Sequence, residues 1–259
     1  MPATLKSHTV GATLVLTISN PEHRNALGPD IYAAGIEAMN TADGNPEIRS
    51  VLITGEGAHF CAGGNLQRLQ SNRQQPPEVQ AESIESLHSW IEAVRSFPKP
   101  VVAAVEGSCA GAGFSLALAC DFLISADNAV FVMAYANIAL SPDGGASWHL
   151  ARSLPRATAL QWLMLGERIQ ASRLQQLGLV NEVTPPGEAL PAALAWCERL
   201  NEKAPNALQS IKDLVNDAPL RPLSTHLAQE RDQFVRNLHH ANGGEGIAAF
   251  LEKRRPRYH

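Results

Sequence analysis

Two glycine-rich turns, each between a predicted strand and a predicted helix, constrain the fold of this chain most strongly. The first covers residues 60–66 and follows the apolar run 50–54, whereas the second covers residues 107–113 and follows the apolar run 101–105. Small residues at a strand-to-helix turn allow backbone N–H groups to approach a ligand closely. Two such turns in one domain can direct two amides at one oxygen, which is the geometry that stabilises an oxyanion or an enolate.

The order of the predicted elements favours an α/β core followed by helices. Strands and helices alternate as far as a predicted strand over residues 179–183, which is typical of a mostly parallel sheet with helices on its faces. After Pro186 the strand signal disappears. We therefore expect a core domain over residues 1–200 and a helical region over residues 201–259. The helices that follow Pro186 are predicted over residues 188–203, 205–217, 223–240 and 243–254.

Charge and composition exclude several classes of partner. The net charge is −4, and no long block of like charge suggests a nucleic-acid-binding arm. Residues 1–10 lack the profile of a signal peptide, and the apolar stretch 109–120 is too short to span a bilayer. No cluster has metal-ligand spacing, and the four cysteines form no C-x-x-C pair. We therefore expect a cytoplasmic protein with reduced thiols, no metal site, and neither a nucleic-acid nor a membrane partner.

Several further motifs accompany the two glycine turns, and together they span nearly the whole chain. They are Asn20-Pro21-x-x-x-Asn25-Ala26-Leu27, Lys99-Pro100-Val101-Val102-Ala103-Ala104-Val105-x-Gly107, Ala119-Cys120-Asp121, Pro142-Asp143-Gly144-Gly145, Gln176-Leu177-Gly178-Leu179-Val180-Asn181-Glu182-Val183 and Glu245-Gly246-x-x-Ala249-Phe250-x-x-Lys253-Arg254. Each motif alone is weak. In this order the set resembles the crotonase superfamily, which is also called the enoyl-CoA hydratase/isomerase superfamily.

The resemblance implies a spiral of ββα units with a helical C-terminal trimerisation region. It also implies an acyl-CoA thioester as substrate, so coenzyme A arrives as part of the substrate and no separate cofactor is expected. Family members are usually trimers or dimers of trimers. A homotrimer or hexamer is therefore expected, with residues 201–259 as the oligomerisation region.

By matching position, the resemblance assigns the two thioester-binding amides to Gly64 and Ala112. Phe250 is a candidate for contact with the acyl pocket of a neighbouring subunit, because C-terminal helices have this role in the family. Lys253 and Arg68 are candidate contacts for coenzyme A phosphates. Further substrate or coenzyme A contacts are expected at Arg24, Ala26, Ala62, Leu66 and Tyr135.

Side chains around the two amides decide the reaction. The family's hydratases activate water with two glutamates, whose positions are occupied here by Ser115 and Tyr135. Asp143 remains as a carboxylate, and the segment 131–148 resembles isomerases of phenylacetate degradation. In that subgroup the matching aspartate moves a proton between two acyl carbons. The resemblance therefore predicts an isomerase in which Asp143 performs a 1,3-proton shift through an enolate.

Three other functions stay open from the sequence. Asp143 alone could hydrate a special enoyl-CoA, or Asp143 and His88 could act as the matching residues do in 4-chlorobenzoyl-CoA dehalogenase. The chain could also bind acyl-CoA without turnover. Structural roles are the alternatives at each position, since Asp143 could cap a helix and His88 could be an ordinary helix histidine. Ser115 is interpreted as a small residue that leaves room for a bulky acyl group.

Overall fold

A computed structural model describes residues 3–259, in which two sheets lie among helices. The strands are β1 (Thr4–Val10), β2 (Thr13–Ser19), β3 (Ser50–Gly55), β4 (Val101–Val105), β5 (Ser108–Ala110), β6 (Phe122–Ala126), β7 (Val130–Val132), β8 (Arg168–Gln170) and β9 (Glu182–Thr184). The α-helices are α1 (Pro29–Gly44), α2 (Leu66–Asn72), α3 (Pro77–Ser96), α4 (Ala112–Ala119), α5 (Ala146–Ser153), α6 (Arg156–Leu165), α7 (Ala171–Gln176), α8 (Ala189–Asn201), α9 (Pro205–Asp217), α10 (Leu223–Leu238) and α11 (Ala241–Leu251).

The larger sheet has six strands in the order β1-β2-β3-β4-β6-β9. Only the β1–β2 pair is antiparallel, and the other neighbours run parallel. Every residue of β4 is buried, which explains why this strand appears in the sequence as a continuous apolar run. Alternate residues face opposite sides, so Val51 and Ile53 join the main core while Leu52 packs with Cys197 of α8.

A second sheet of three strands, in the order β5-β7-β8, was not predicted from the sequence. Each of its strands has only three residues, which is too short to show an alternating pattern. The chain passes from β4 to β5 and from β6 to β7, and each pair contributes one strand to each sheet. Helix α4 follows the first pair, which confirms the expected spiral of ββα units.

The strand predicted over residues 179–183 begins three residues too early, since β9 begins at Glu182. Leu179 instead ends the turn after α7, where its N–H donates to the carbonyl oxygen of Leu174 over 2.9 Å. The chain joins the sheet only at β9, where Glu182 lies opposite Ile124. The apolar pair Leu179-Val180 therefore packs the end of α7 against the core rather than extending the strand.

The helical region after residue 201 is attached to the sheet by a buried ion pair. Lys212 of α9 places its Nζ 2.8 Å from Oδ2 of Asp121, and the two side chains are only 10% and 16% exposed. The same Asp121 oxygen accepts a hydrogen bond from the Val101 N–H over 2.8 Å. The predicted C-terminal helices are thus confirmed as elements. Their predicted role in oligomerisation stays a prediction.

No helix within residues 3–259 combines the length and the apolar character that are needed to cross a lipid bilayer.

Replacing Lys212 by Met is expected to lower the free energy of unfolding by about 3–5 kcal/mol, because Asp121 would keep a buried charge without its partner. Lys6→Met is the matched control, since Lys6 pairs with Glu56 at the surface, where the side chains are 56% and 37% exposed. Loss of that pair should cost no more than about 1 kcal/mol. Chemical denaturation measures both variants, and equal losses would contradict the structural role of the buried pair.

Candidate functional site

The two glycine turns are bound to each other through their backbones. The Cys61 N–H donates to the Ser108 carbonyl oxygen over 3.0 Å, and the Ala110 N–H donates to the Cys61 carbonyl oxygen over 2.9 Å. Gly63 has a φ of +95°, and a Cβ atom there would lie 2.9 Å from the Ala110 carbonyl oxygen and 3.5 Å from the Ala112 nitrogen. Glycine is therefore required at Gly63 by both its backbone conformation and its contact with the second turn.

The Gly64 and Ala112 N–H groups lie free beside this contact. Neither of them donates a hydrogen bond to another group within the described residues 3–259. Ala112 is the first residue of α4, so its N–H has no acceptor in the helix and lies at the positive end of the helix dipole. The two N–H groups can therefore donate hydrogen bonds to a carbonyl oxygen that gains negative charge.

A third backbone segment, residues 24–27, runs along the first turn. The Ala62 N–H donates to the Arg24 carbonyl oxygen over 2.9 Å, and the Leu27 N–H donates to the Gly63 carbonyl oxygen over 2.8 Å. Ala26 is buried in this segment, whereas the Arg24 side chain is exposed. The structure thus brings Arg24, Ala26 and Ala62 to one edge of the two amides.

Helix α2 begins directly after the first turn and starts with a side-chain cap. The Oδ1 atom of Asn65 accepts a hydrogen bond from the Arg68 N–H over 3.1 Å. Leu66, the first residue of α2, is exposed. The capping bond fixes the direction in which α2 leaves the turn.

Asp143 lies in a polar group with Tyr135 and Ser115. The Tyr135 hydroxyl donates to Oδ1 of Asp143 over 2.6 Å, and the Ser115 hydroxyl donates to the Asp143 carbonyl oxygen over 3.0 Å. Ser115 belongs to α4, and a Cβ atom on Gly111 would lie 3.6 Å from the Tyr135 oxygen. The Asp143 carboxylate is therefore held next to the second glycine turn.

The alternative that Asp143 caps a helix is wrong. Helix α5 begins at Ala146 with Gly145 as its N-cap residue, and no side chain caps it. The Asp143 carboxylate instead accepts from Tyr135, and burial together with the negative charge of Asp143 raises the pKa of that phenol. Tyr135 therefore remains a hydrogen-bond donor at neutral pH.

Arg68 and Tyr32 form a further polar pair, of which the sequence indicated only Arg68, as a contact for coenzyme A phosphates. Arg68 is directed inward, where its Nη1 donates to the Ser83 hydroxyl over 2.7 Å, rather than outward to solvent. Burial raises the pKa of Tyr32 to about 12, the nearby Arg68 guanidinium lowers it, and the Asp143 charge raises it. The only sequence signal was the position of Arg68 on the first turn of a predicted helix, which does not reveal the direction of its side chain.

His88 faces away from this group. Its Nδ1 lies 3.9 Å from Oε2 of Glu85 on the same helix, and its side chain is 40% exposed. The preceding residue, Leu87, faces the site. A Cβ atom added to Gly144 would lie 3.7 Å from the Cδ2 atom of Leu87. Successive helical residues differ by about 100° in direction, so both cannot face Asp143.

Phe250 and Lys253 lie at the end of α11 and are exposed. Phe250 is 82% exposed, an unusual value for a large apolar side chain. The roles predicted for both residues stay predictions.

Comparison with known proteins establishes the family. Residues 9–259 match the enoyl-CoA hydratase/isomerase family model. The chain belongs to the enoyl-CoA hydratase/isomerase family. Membership agrees with the paired glycine turns and the ββα spiral, and it confirms the resemblance that the sequence motifs suggested.

Relatives in the family carry both isomerase and hydratase names. The chain is 32% identical to 1,2-epoxyphenylacetyl-CoA isomerase of Escherichia coli, with 97% of each chain covered. It is also 32% identical to 2,3-dehydroadipyl-CoA hydratase of the same organism, covering 94% of this chain and 93% of the relative. A crystal structure described as an enoyl-CoA hydratase from Polaromonas sp. JS666 has a TM-score of 0.98 and 68% identity, and the match covers 99% of this chain and 100% of that chain. These names support an enzyme that acts on acyl-CoA thioesters. Because they include an isomerase and hydratases, the reaction has to be inferred from the residues of the site.

Gly63→Ala should separate the two turns and destabilise the fold. We expect a strained left-handed backbone to cost about 1–2 kcal/mol and the collision with Ala110 to cost a further 1–3 kcal/mol, roughly. Gly57→Ala is the matched control, because Gly57 also has a positive φ, of +73°, but a Cβ atom there meets nothing within 4 Å. Denaturant unfolding compares the variants, and an equal cost for both would show that the turns are not tightly packed.

Proposed function

We propose that this protein is an acyl-CoA isomerase that moves a carbon–carbon double bond by a 1,3-proton shift. The observation that carries the proposal is a single carboxylate, Asp143, held by Tyr135 and Ser115 next to the second glycine turn, where the Ala112 N–H is free within the described residues 3–259. Serine and tyrosine occupy the positions of the two glutamates that family hydratases use, and the tyrosine binds Asp143 instead of activating water. A 32% identical relative is named as an isomerase of another acyl-CoA thioester, 1,2-epoxyphenylacetyl-CoA, which supports an isomerase function.

In the proposed reaction, the amides bind the thioester oxygen while Asp143 transfers the proton. The carboxylate removes a proton from the α-carbon of a 3-enoyl thioester, and the electron pair moves onto the carbonyl oxygen to form a dienolate. Two N–H donors stabilise that negative charge, and losing one such donor typically costs about 10²–10³ in rate. The protonated Asp143 then returns its proton to the γ-carbon, the carbonyl re-forms, and the double bond lies between the α- and β-carbons.

Tyr135 orients the carboxylate for both proton transfers. Its hydroxyl holds Oδ1 of Asp143 at 2.6 Å, so Oδ2 is the oxygen that exchanges the proton with substrate. Because burial raises the pKa of Tyr135, the phenol keeps its own proton throughout the cycle. Ser115 holds the backbone of Asp143, which keeps the carboxylate in the same place when its charge changes.

Asp143→Asn is expected to lower solvent-deuterium incorporation at the α- and γ-carbons of 3-hexenoyl-CoA by about 10²–10⁴-fold, because the amide can neither accept nor return the proton. Binding of the unreactive thioester hexanoyl-CoA, measured by calorimetry, should be unchanged. The matched control is Asp127→Asn in the exposed turn between β6 and β7, which should exchange deuterium at the wild-type rate. Wild-type exchange in Asp143→Asn would reject the assignment, and rapid addition of water to crotonyl-CoA would favour the hydratase function.

Tyr135→Phe is expected to slow deuterium exchange by about 10–100-fold, which corresponds to one hydrogen bond to a charged group. The phenyl ring keeps the packing, so the melting temperature should change little. Mass spectrometry of the exchanged thioester measures the rate. An unchanged rate would show that the hydrogen bond to Asp143 plays no part in proton transfer.

A further inference from the structure

Arg68 carries a half-buried charge that no acidic residue balances. Its Nη1 donates to the neutral Ser83 hydroxyl, while its Nε is buried and has no hydrogen-bond partner in the part of the chain that the structure describes. No aspartate or glutamate within residues 3–259 forms an ion pair with it. Buried cations are rare unless they are paired, and an unsatisfied donor adds to their cost.

Arg68 lies next to the loop that carries Asp143. Ser83 and Leu87 are four residues apart on α3 and therefore share one face of the helix. Ser83 binds Arg68, and Leu87 would lie 3.7 Å from a Cβ atom on Gly144. Arg68 and the Asp143 loop therefore approach the same face of α3, at positions about one helical turn apart.

Tyr32 closes the same space from α1. The phenol is 3% exposed and interacts with both Arg68 and the charge of Asp143. Tyr32 belongs to the same buried cluster as Leu87 of α3 and Cys61 of the first glycine turn. Arg68 and the Asp143 loop are therefore connected through the part of the core that lies under the first glycine turn.

We propose that Arg68 binds a carboxylate at the far end of the substrate's acyl chain, and that the substrate is a thioester of a short dicarboxylic acid. This inference rests on the proposed function, because it places the acyl chain between the two amides and Arg68. The planar guanidinium matches the geometry of a carboxylate, and within residues 3–259 it forms no ion pair with an aspartate or glutamate. A substrate carboxylate would balance the charge that the chain itself leaves unpaired.

Paired thioesters of equal length test the inference. Wild-type protein should isomerise the monothioester of 3-hexenedioic acid with a kcat/KM at least about 30-fold above that of 3-hexenoyl-CoA, since a buried pair of charges is worth 2 kcal/mol or more. Arg68→Gln should raise KM for the diacid thioester far more than for 3-hexenoyl-CoA, so that the ratio of the two kcat/KM values falls to about one. Arg68→Lys should recover part of it, because lysine keeps the charge without the planar fork. Arg73→Gln, at the exposed end of α2, is the control for general surface charge.

Two results would overturn the inference. A wild-type protein without preference for the diacid would show that no carboxylate is bound, and an equal loss on both substrates in Arg68→Gln would show that Arg68 acts on Asp143 instead. Calorimetry with adipyl-CoA and hexanoyl-CoA, which need no turnover, separates this inference from the proposed reaction. Tighter binding of adipyl-CoA that depends on Arg68 would support the carboxylate site even if no deuterium exchange occurs.

Discussion

The backbone pairing of two glycine turns is the interaction on which the rest of this structure depends. Hydrogen bonds between Cys61 and the strand Ser108–Ala110 bring together two turns that are far apart in the sequence. Gly63 is packed so closely against Ala110 that a side chain would push the turns apart. The position of the Gly64 and Ala112 amides therefore follows from backbone contacts, which side-chain motion cannot disturb. Such preorganised donors need no rearrangement when charge develops on a bound oxygen.

A small polar network of side chains holds a carboxylate next to these backbone amides. Asp143 accepts from Tyr135, and Ser115 fixes its backbone, so one carboxylate is held in one orientation beside the second turn. In a buried network each polar group needs a partner, because an unpaired one is costly. Arg68 is the exception, since its Nε has no hydrogen-bond partner within residues 3–259. We interpret this departure as the part of the site that a substrate completes.

Sequence patterns predicted the elements that are long and regular. Strand β4 appears as a continuous apolar run because it is buried on both faces, and the Asn65 cap follows from its position before a helix. Strands β5 and β8 of the small sheet were missed, because three residues cannot show a period. The turn after α7 was included in a predicted strand, since an apolar pair such as Leu179-Val180 suits either packing. Local pattern alone does not distinguish these cases.

The sequence by itself determined the α/β class, the two small-residue turns and, through the order of its motifs, the family. It also determined which residue types are available for chemistry, with serine and tyrosine where hydratases carry glutamates. Only the tertiary structure decided that Asp143 binds Tyr135 rather than capping α5, that Leu87 rather than His88 faces the site, and that Arg68 is directed inward. The physical reason is that a side chain's direction and partners depend on contacts between residues distant in the chain, which local periodicity does not record.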